Sequence, residues 1–164
     1  MERIAAAPVA GRLISDSPAS TRAIGRALGR AAAPGTLIAL VGELGAGKTQ
    51  LAKGVAEGLD VATVVNSPTF VLMNEHVGRL RLYHVDAYRL AEAEQAADAG
   101  LIDDRQADGV VVVEWADRLS SWLPSDRLEI TITADDGDPS ARTLRWRAHG
   151  DFHAELADAA LGSR

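Results

Sequence analysis

The chain has 164 residues, 47% of them hydrophobic and 24% charged, with no cysteine. That excludes a large multidomain machine, a wholly disordered chain and any disulfide, thiolate nucleophile or cysteine-bound zinc, and leaves one domain of ordinary size over 1–164. Its 17 basic and 23 acidic residues give a formal charge of −6, which opposes unaided binding to a polyanion because Lys and Arg supply most of the affinity for phosphates. The longest apolar runs, Leu37–Val41 and Val110–Val113, fall far short of the roughly 20 residues that span a bilayer. Met1 to Gly11 mixes charge with a proline and holds no sustained apolar stretch, so a cytoplasmic location is expected.

In chain order, Arg12–Ile14 reads as a short strand and is followed by a helix with Ser17 as N-cap and Pro18 at its first position. Ile24, Ala27, Leu28 and Ala31 recur at helical spacing on the face to be buried, and Arg22, Arg26 and Arg30 fall opposite as a solvated stripe. Pro34-Gly35 ends that helix. Thr36–Val41 is an apolar run bounded by glycine, which suits a buried strand, and residues 49–58 resume a helical pattern closed by Gly58. Phe70–Val77 and Arg79–Asp86 read as a hairpin joined around Gly78, and Glu92–Ala99 as a helix stopped by Gly100. Val110–Val113 has the continuous branched composition of a strand covered on both faces. Leu128, Ile130 and Ile132, then Leu144, Trp146 and Ala148 after the loop Asp135–Ala141, alternate as a second hairpin with one solvated face. Phe152–Leu161 is a closing helix.

The segment Gly42-Glu43-Leu44-Gly45-Ala46-Gly47-Lys48-Thr49 fits G-x-x-x-x-G-K-S/T, the P-loop, directly after a buried strand and at the start of a helix. Backbone N–H groups of Gly42, Leu44, Gly45, Ala46 and Gly47 would converge on phosphate, and the helix N-terminus adds partial positive charge. Lys48 would reach the β- and γ-phosphates of ATP, and the Thr49 hydroxyl would ligate Mg²⁺. A glycine-rich turn without a ligand is the bland alternative. Against it, Lys48 and Lys53 are the only lysines among 17 basic residues, so a chain that otherwise writes arginine keeps a lysine where a compact ammonium is wanted. A P-loop also needs an acidic group at a strand end to hold the hydrated metal. Glu114 and Asp86 each end a strand in that way, and both are candidate catalytic and metal-binding residues.

Together these segments resemble the bacterial TsaE (YjeE) family, small P-loop ATPases of tRNA threonylcarbamoyladenosine biosynthesis. The P-loop carries the match with Ser67-Pro68-Thr69-Phe70, His84-Val85-Asp86-Ala87-Tyr88-Arg89-Leu90 and Glu114-Trp115-Ala116-Asp117. Asp117 stands where the family often has Glu, which leaves its role open. The resemblance implies an α/β fold, a P-loop NTPase-like mixed β-sheet flanked by helices with antiparallel hairpins. It further implies Mg²⁺-dependent ATP hydrolysis, slow alone and stimulated by a TsaD–TsaB-type pair, with tRNA reached only through those partners. Thr69 would sense the γ-phosphate as part of a switch, and Lys48, Thr69, Asp86 and Glu114 would form the catalytic set. Roles for His84, Arg89 and Trp115 stay open. A small-molecule P-loop kinase and a non-hydrolytic nucleotide-gated scaffold are the alternatives. A GTP switch is weakened by the lack of an Asn-Lys-x-Asp segment.

Overall fold

The structure, a computed structural model, describes residues 9–43, 47–62, 73–86, 108–116 and 123–162. Strands β1 (Ala10–Ser15), β2 (Thr36–Val41), β3 (Met73–His76), β4 (Leu82–Asp86), β5 (Val110–Glu114), β6 (Arg127–Ala134) and β7 (Arg142–His149) form a seven-stranded sheet in the order β1-β7-β6-β2-β5-β4-β3. The centre is parallel, with β2 between β5 and β6 and β4 outside β5, while β3 and β7 run antiparallel to their neighbours. The mixed sheet expected of a P-loop fold is therefore present.

Helices α1 (Pro18–Ala31), α2 (Lys48–Gly58) and α3 (Asp151–Ala160) cover one face. There Ile38, Leu40, Val110, Val112, Leu128 and Ile130 share a core with Leu28, Leu51 and Leu156 from the helices. The alternate residues Leu37, Ala39, Val111 and Val113 build a second core on the other face with Tyr83, Val85 and Ala116. Burial on both sides explains why β2 and β5 are continuously apolar.

Helix α1 begins as its sequence expects, with the Ser17 hydroxyl accepting the Ser20 N–H at 3.0 Å and Pro18 in the first turn. Its arginine stripe lies at the surface as expected, and Arg22 and Arg26 both donate there to Glu57 of α2, from 2.9 to 3.2 Å. Gly58 is the last residue of α2, which ends where the sequence closes it. Together with Gly54 it faces Gly25 and Gly29 of α1, and the helices approach so closely that a Cβ on Gly54 would lie 2.1 Å from the Arg22 carbonyl oxygen. Close backbone approach explains these glycines.

The first hairpin is shorter than its alternation suggested, since residues 77–81 form its connection. Arg79 is drawn out of the strand: its N–H donates to Leu59 O at 2.6 Å, and its guanidinium donates to Gly29 O at 2.7 Å and Ala32 O at 3.3 Å. It thereby satisfies carbonyls left over at the end of α1. Residues 70–72 and the helix expected over Glu92–Ala99 lie outside the described residues. The second hairpin and the closing helix form as expected, within a residue or two.

Candidate nucleotide site

Parallel β2, β4 and β5 end on the same edge of the sheet, where Leu40, Glu114 and Asp86 share one register row. The chain leaves β2 through Gly42 and returns into α2 at Gly47, whose φ of 113° is the left-handed conformation that glycine adopts without steric cost. Lys48 opens α2, is 5% exposed, and donates from Nζ to the carbonyl oxygens of Gly42 (2.6 Å) and Glu43 (2.9 Å). Its ammonium lies 4.0 Å from the centre of the Trp115 ring, a cation–π contact. Trp115 itself has φ 60°, a conformation in which a bulky residue is strained by about 1–3 kcal/mol.

Thr49 and Glu114 meet across the edge, with the hydroxyl 3.4 Å from Glu114 Oε1. The other carboxylate oxygen, Oε2, lies 2.5 Å from His84 Nε2. His84 is fully buried and Glu114 is 3% exposed. This contact fixes the orientation of the Glu114 carboxyl group. His84 Nδ1 has no hydrogen-bond partner among the described residues. The hydroxyl and carboxylate oxygens of Thr49 and Glu114 are hard ligands of the kind that suits Mg²⁺.

Of the residues singled out in the sequence, the structure brings Gly42, Gly47, Lys48, Thr49 and Glu114 together, with His84 and Trp115, whose roles the sequence left open. Asp86 occupies the register position beside Glu114 on β4, while its side chain lies outside the described residues. So do Leu44, Gly45, Ala46, Thr69, Arg89 and Asp117. The service of His84 to Glu114 was missed, because the two are 30 positions apart and meet only through the pairing of β4 with β5. Nothing in the sequence marked the hollow of about 430 Å³ beside Gly47, lined by Thr21 of α1, Gln50 of α2, and Pro139, Ser140 and Arg142 near the tip of the β6–β7 hairpin.

A family model described as "Threonylcarbamoyl adenosine biosynthesis protein TsaE" matches residues 15–144. This chain belongs to the TsaE family. It is 39% identical over 143 residues to the tRNA threonylcarbamoyladenosine biosynthesis protein TsaE of Bacillus subtilis, a match covering 87% of this chain and 88% of that one. The protein of the same name from Treponema pallidum is 40% identical over 121 residues, 74% of this chain and 90% of the other. The one from Streptomyces coelicolor is 42% identical over 120 residues, covering 71% and 81%. The crystal structure of Bacillus subtilis YdiB superposes with a TM-score of 0.78 and 34% identity, over 92% of this chain and 93% of YdiB. This TsaE-family chain thus carries the P-loop NTPase fold, a nucleotide-binding fold. Among its described residues no helix is long and apolar enough to cross a membrane.

Proposed function

We propose that this chain binds ATP with Mg²⁺ and hydrolyses it, as a cytoplasmic single-domain subunit of the assembly that makes threonylcarbamoyladenosine in tRNA. One observation carries this reading: the P-loop Thr49 and the strand-end Glu114 converge to 3.4 Å at the N-terminus of α2, beside a buried lysine. The loop from Gly42 through Leu44, Gly45, Ala46 and Gly47 would hold phosphates with backbone N–H groups, and the helix start would favour their charge. Lys48 would exchange the carbonyls of Gly42 and Glu43 for β- and γ-phosphate oxygens, its stem steadied by Trp115. Thr49 and Glu114, with Asp86 from the neighbouring strand, would hold Mg²⁺, which when bound offsets the charge that develops on the phosphates. The hollow beside Gly47 would take the nucleoside, since it adjoins the loop that would hold the phosphates.

Thr69 would sense the γ-phosphate, and turnover would be slow until a TsaD–TsaB-type pair orders that segment. Transfer of the threonylcarbamoyl group would fall to that pair. Calorimetry and phosphate release test the reading. Lys48→Ala should weaken ATP binding at least about tenfold, a loss of about 1.4 kcal/mol, whereas Thr49→Ala should keep ATP affinity in EDTA and lose Mg²⁺-dependent turnover. Unchanged affinity and hydrolysis in a folded Lys48→Ala protein would remove the phosphate cradle. ADP formed only when an acceptor molecule is added, with the phosphoryl group carried on that acceptor and no free phosphate released, would point to a kinase.

A further inference from the structure

The sheet face turned away from α1, α2 and α3 carries a cluster of arginines on β1 and β7. Antiparallel register sets Arg12 directly beside Arg145, with Thr131 on the far side, and places Arg147 in the next outward row beside Glu129. All three arginines are exposed, and none has a carboxylate partner among the described residues. Glu129 offers them little charge, because Arg127 holds its Oε1 at 2.5 Å and His149 Nε2 lies 3.6 Å from the same oxygen. Between the strands lies a hollow of about 300 Å³ lined by Arg12, Arg145, Arg147, Glu129 and Thr131. Like charges directly opposite each other on paired strands destabilise a sheet, so the fold gains nothing from Arg12 beside Arg145. A chain with six more acids than bases nonetheless leaves this cluster unneutralised.

We propose that this face binds the phosphodiester backbone of RNA, namely the tRNA on which the family's pathway acts. Guanidinium forks match phosphate oxygens, and successive outward rows lie about 7 Å apart along the strands, a repeat that suits a polyanion better than a lone carboxylate. The hydroxyls of Thr131 and Thr143 stand on the same outward face and can donate to further phosphate oxygens. The formal charge of −6 argued against direct contact with nucleic acid, but a potential is local, and this cluster is a positive patch on an acidic surface. The overall charge keeps binding weak and strongly salt-dependent. The inference rests on family membership and is independent of the nucleotide-site reading.

Fluorescence anisotropy of labelled tRNA, titrated with the full chain from 50 to 200 mM salt, tests it. Three phosphate contacts should give a log–log salt slope of about −2 to −3, and the combined variant Arg12→Ala, Arg145→Ala and Arg147→Ala should bind at least about tenfold more weakly. Lysine at the same three positions should restore most of the affinity, and Lys48→Ala should leave it unchanged. Because the cluster repels itself, Arg145→Thr should raise the melting temperature while weakening tRNA binding. No binding by the natural chain at 50 mM salt, or equal binding by the triple alanine variant, would overturn the proposal. So would a triple variant that loses only the capture of an acidic protein partner, which would assign the face to protein.

Discussion

Glu114 links the two halves of the candidate site, with one oxygen toward the Thr49 hydroxyl and the other held by His84. Because both His84 and Glu114 are buried, the carboxylate has little freedom to find another orientation. His84 is accordingly a positioning residue. Its replacement by Ala should lower Mg²⁺-dependent turnover about 10- to 100-fold, the usual cost of losing the group that orients a metal ligand. The Mg²⁺ concentration for half-maximal rate should rise while ADP affinity in EDTA holds. Gln, whose amide nitrogen can occupy the place of Nε2, should recover part of the loss. Normal Mg²⁺ dependence in His84→Ala would reduce the pair to core packing. Trp115 adds a second constraint, since a strained backbone at the end of β5 turns its ring over Lys48.

Helices α1 and α2 owe their closeness to Gly25, Gly29, Gly54 and Gly58, and that closeness fixes where α2 begins relative to the end of β2. A residue with a side chain at Gly54 must push against backbone, with Cβ 2.1 Å from Arg22 O and 2.9 Å from Gly25 Cα. Gly54→Ala should therefore destabilise by about 1–3 kcal/mol even though Ala is the better helix former by about 1 kcal/mol. Gly137→Ala is the control, because a Cβ there meets only Asp135 Oδ1 at 3.5 Å. Urea unfolding of both variants checks the contrast, and equal stability would remove the close-packing argument. Arg22 and Arg26 on Glu57 lie at the surface of the same helix pair, where such ion pairs contribute little.

Across the whole molecule, α3 ties the far end of the sheet together through His153. Fully buried, it accepts the Leu37 N–H at Nε2 (2.9 Å) and lies 2.5 Å from Asp126 Oδ1 at Nδ1. Pairing of β2 with β6 starts only at Ile38, so the imidazole satisfies an N–H that the ladder does not reach. Burial holds the His153 pKa below its ordinary 6.5, and the hydrogen bond to Asp126 and its charge offset only part of that. Since the native state resists protonation, its contribution is complete above pH 6.5 and is lost as pH falls from there through the lower native value. Urea midpoints should therefore drop between pH 7.5 and 5.5, and a folded His153→Asn protein should show a shallower dependence. An unaltered pH slope in that variant would acquit His153. Asp126 and His149 both act on this imidazole and belong in the same series.

Much of this protein was legible locally. The Ser17 cap, the apolar runs of β2 and β5 and the alternation of the second hairpin depend on neighbours within a few residues, and each formed where its residues or spacing placed it. Strand ends at Asp86 and Glu114 were legible too, because a carboxylate closing an apolar run marks an edge. Contacts between distant positions were not. Thr49 and Glu114 are 65 positions apart and meet only because β2 and β5 are neighbours in parallel register. The same holds for Arg79, which reads as a strand residue until the end of α1 offers it free carbonyls. The arginine face is the clearest case: Arg12 and Arg145 become neighbours through β1–β7 pairing alone. Periodicity assigns a side chain to a face of its own element, whereas which elements adjoin and in what register is decided by burial summed over the whole chain, and that sum exists only in the folded molecule.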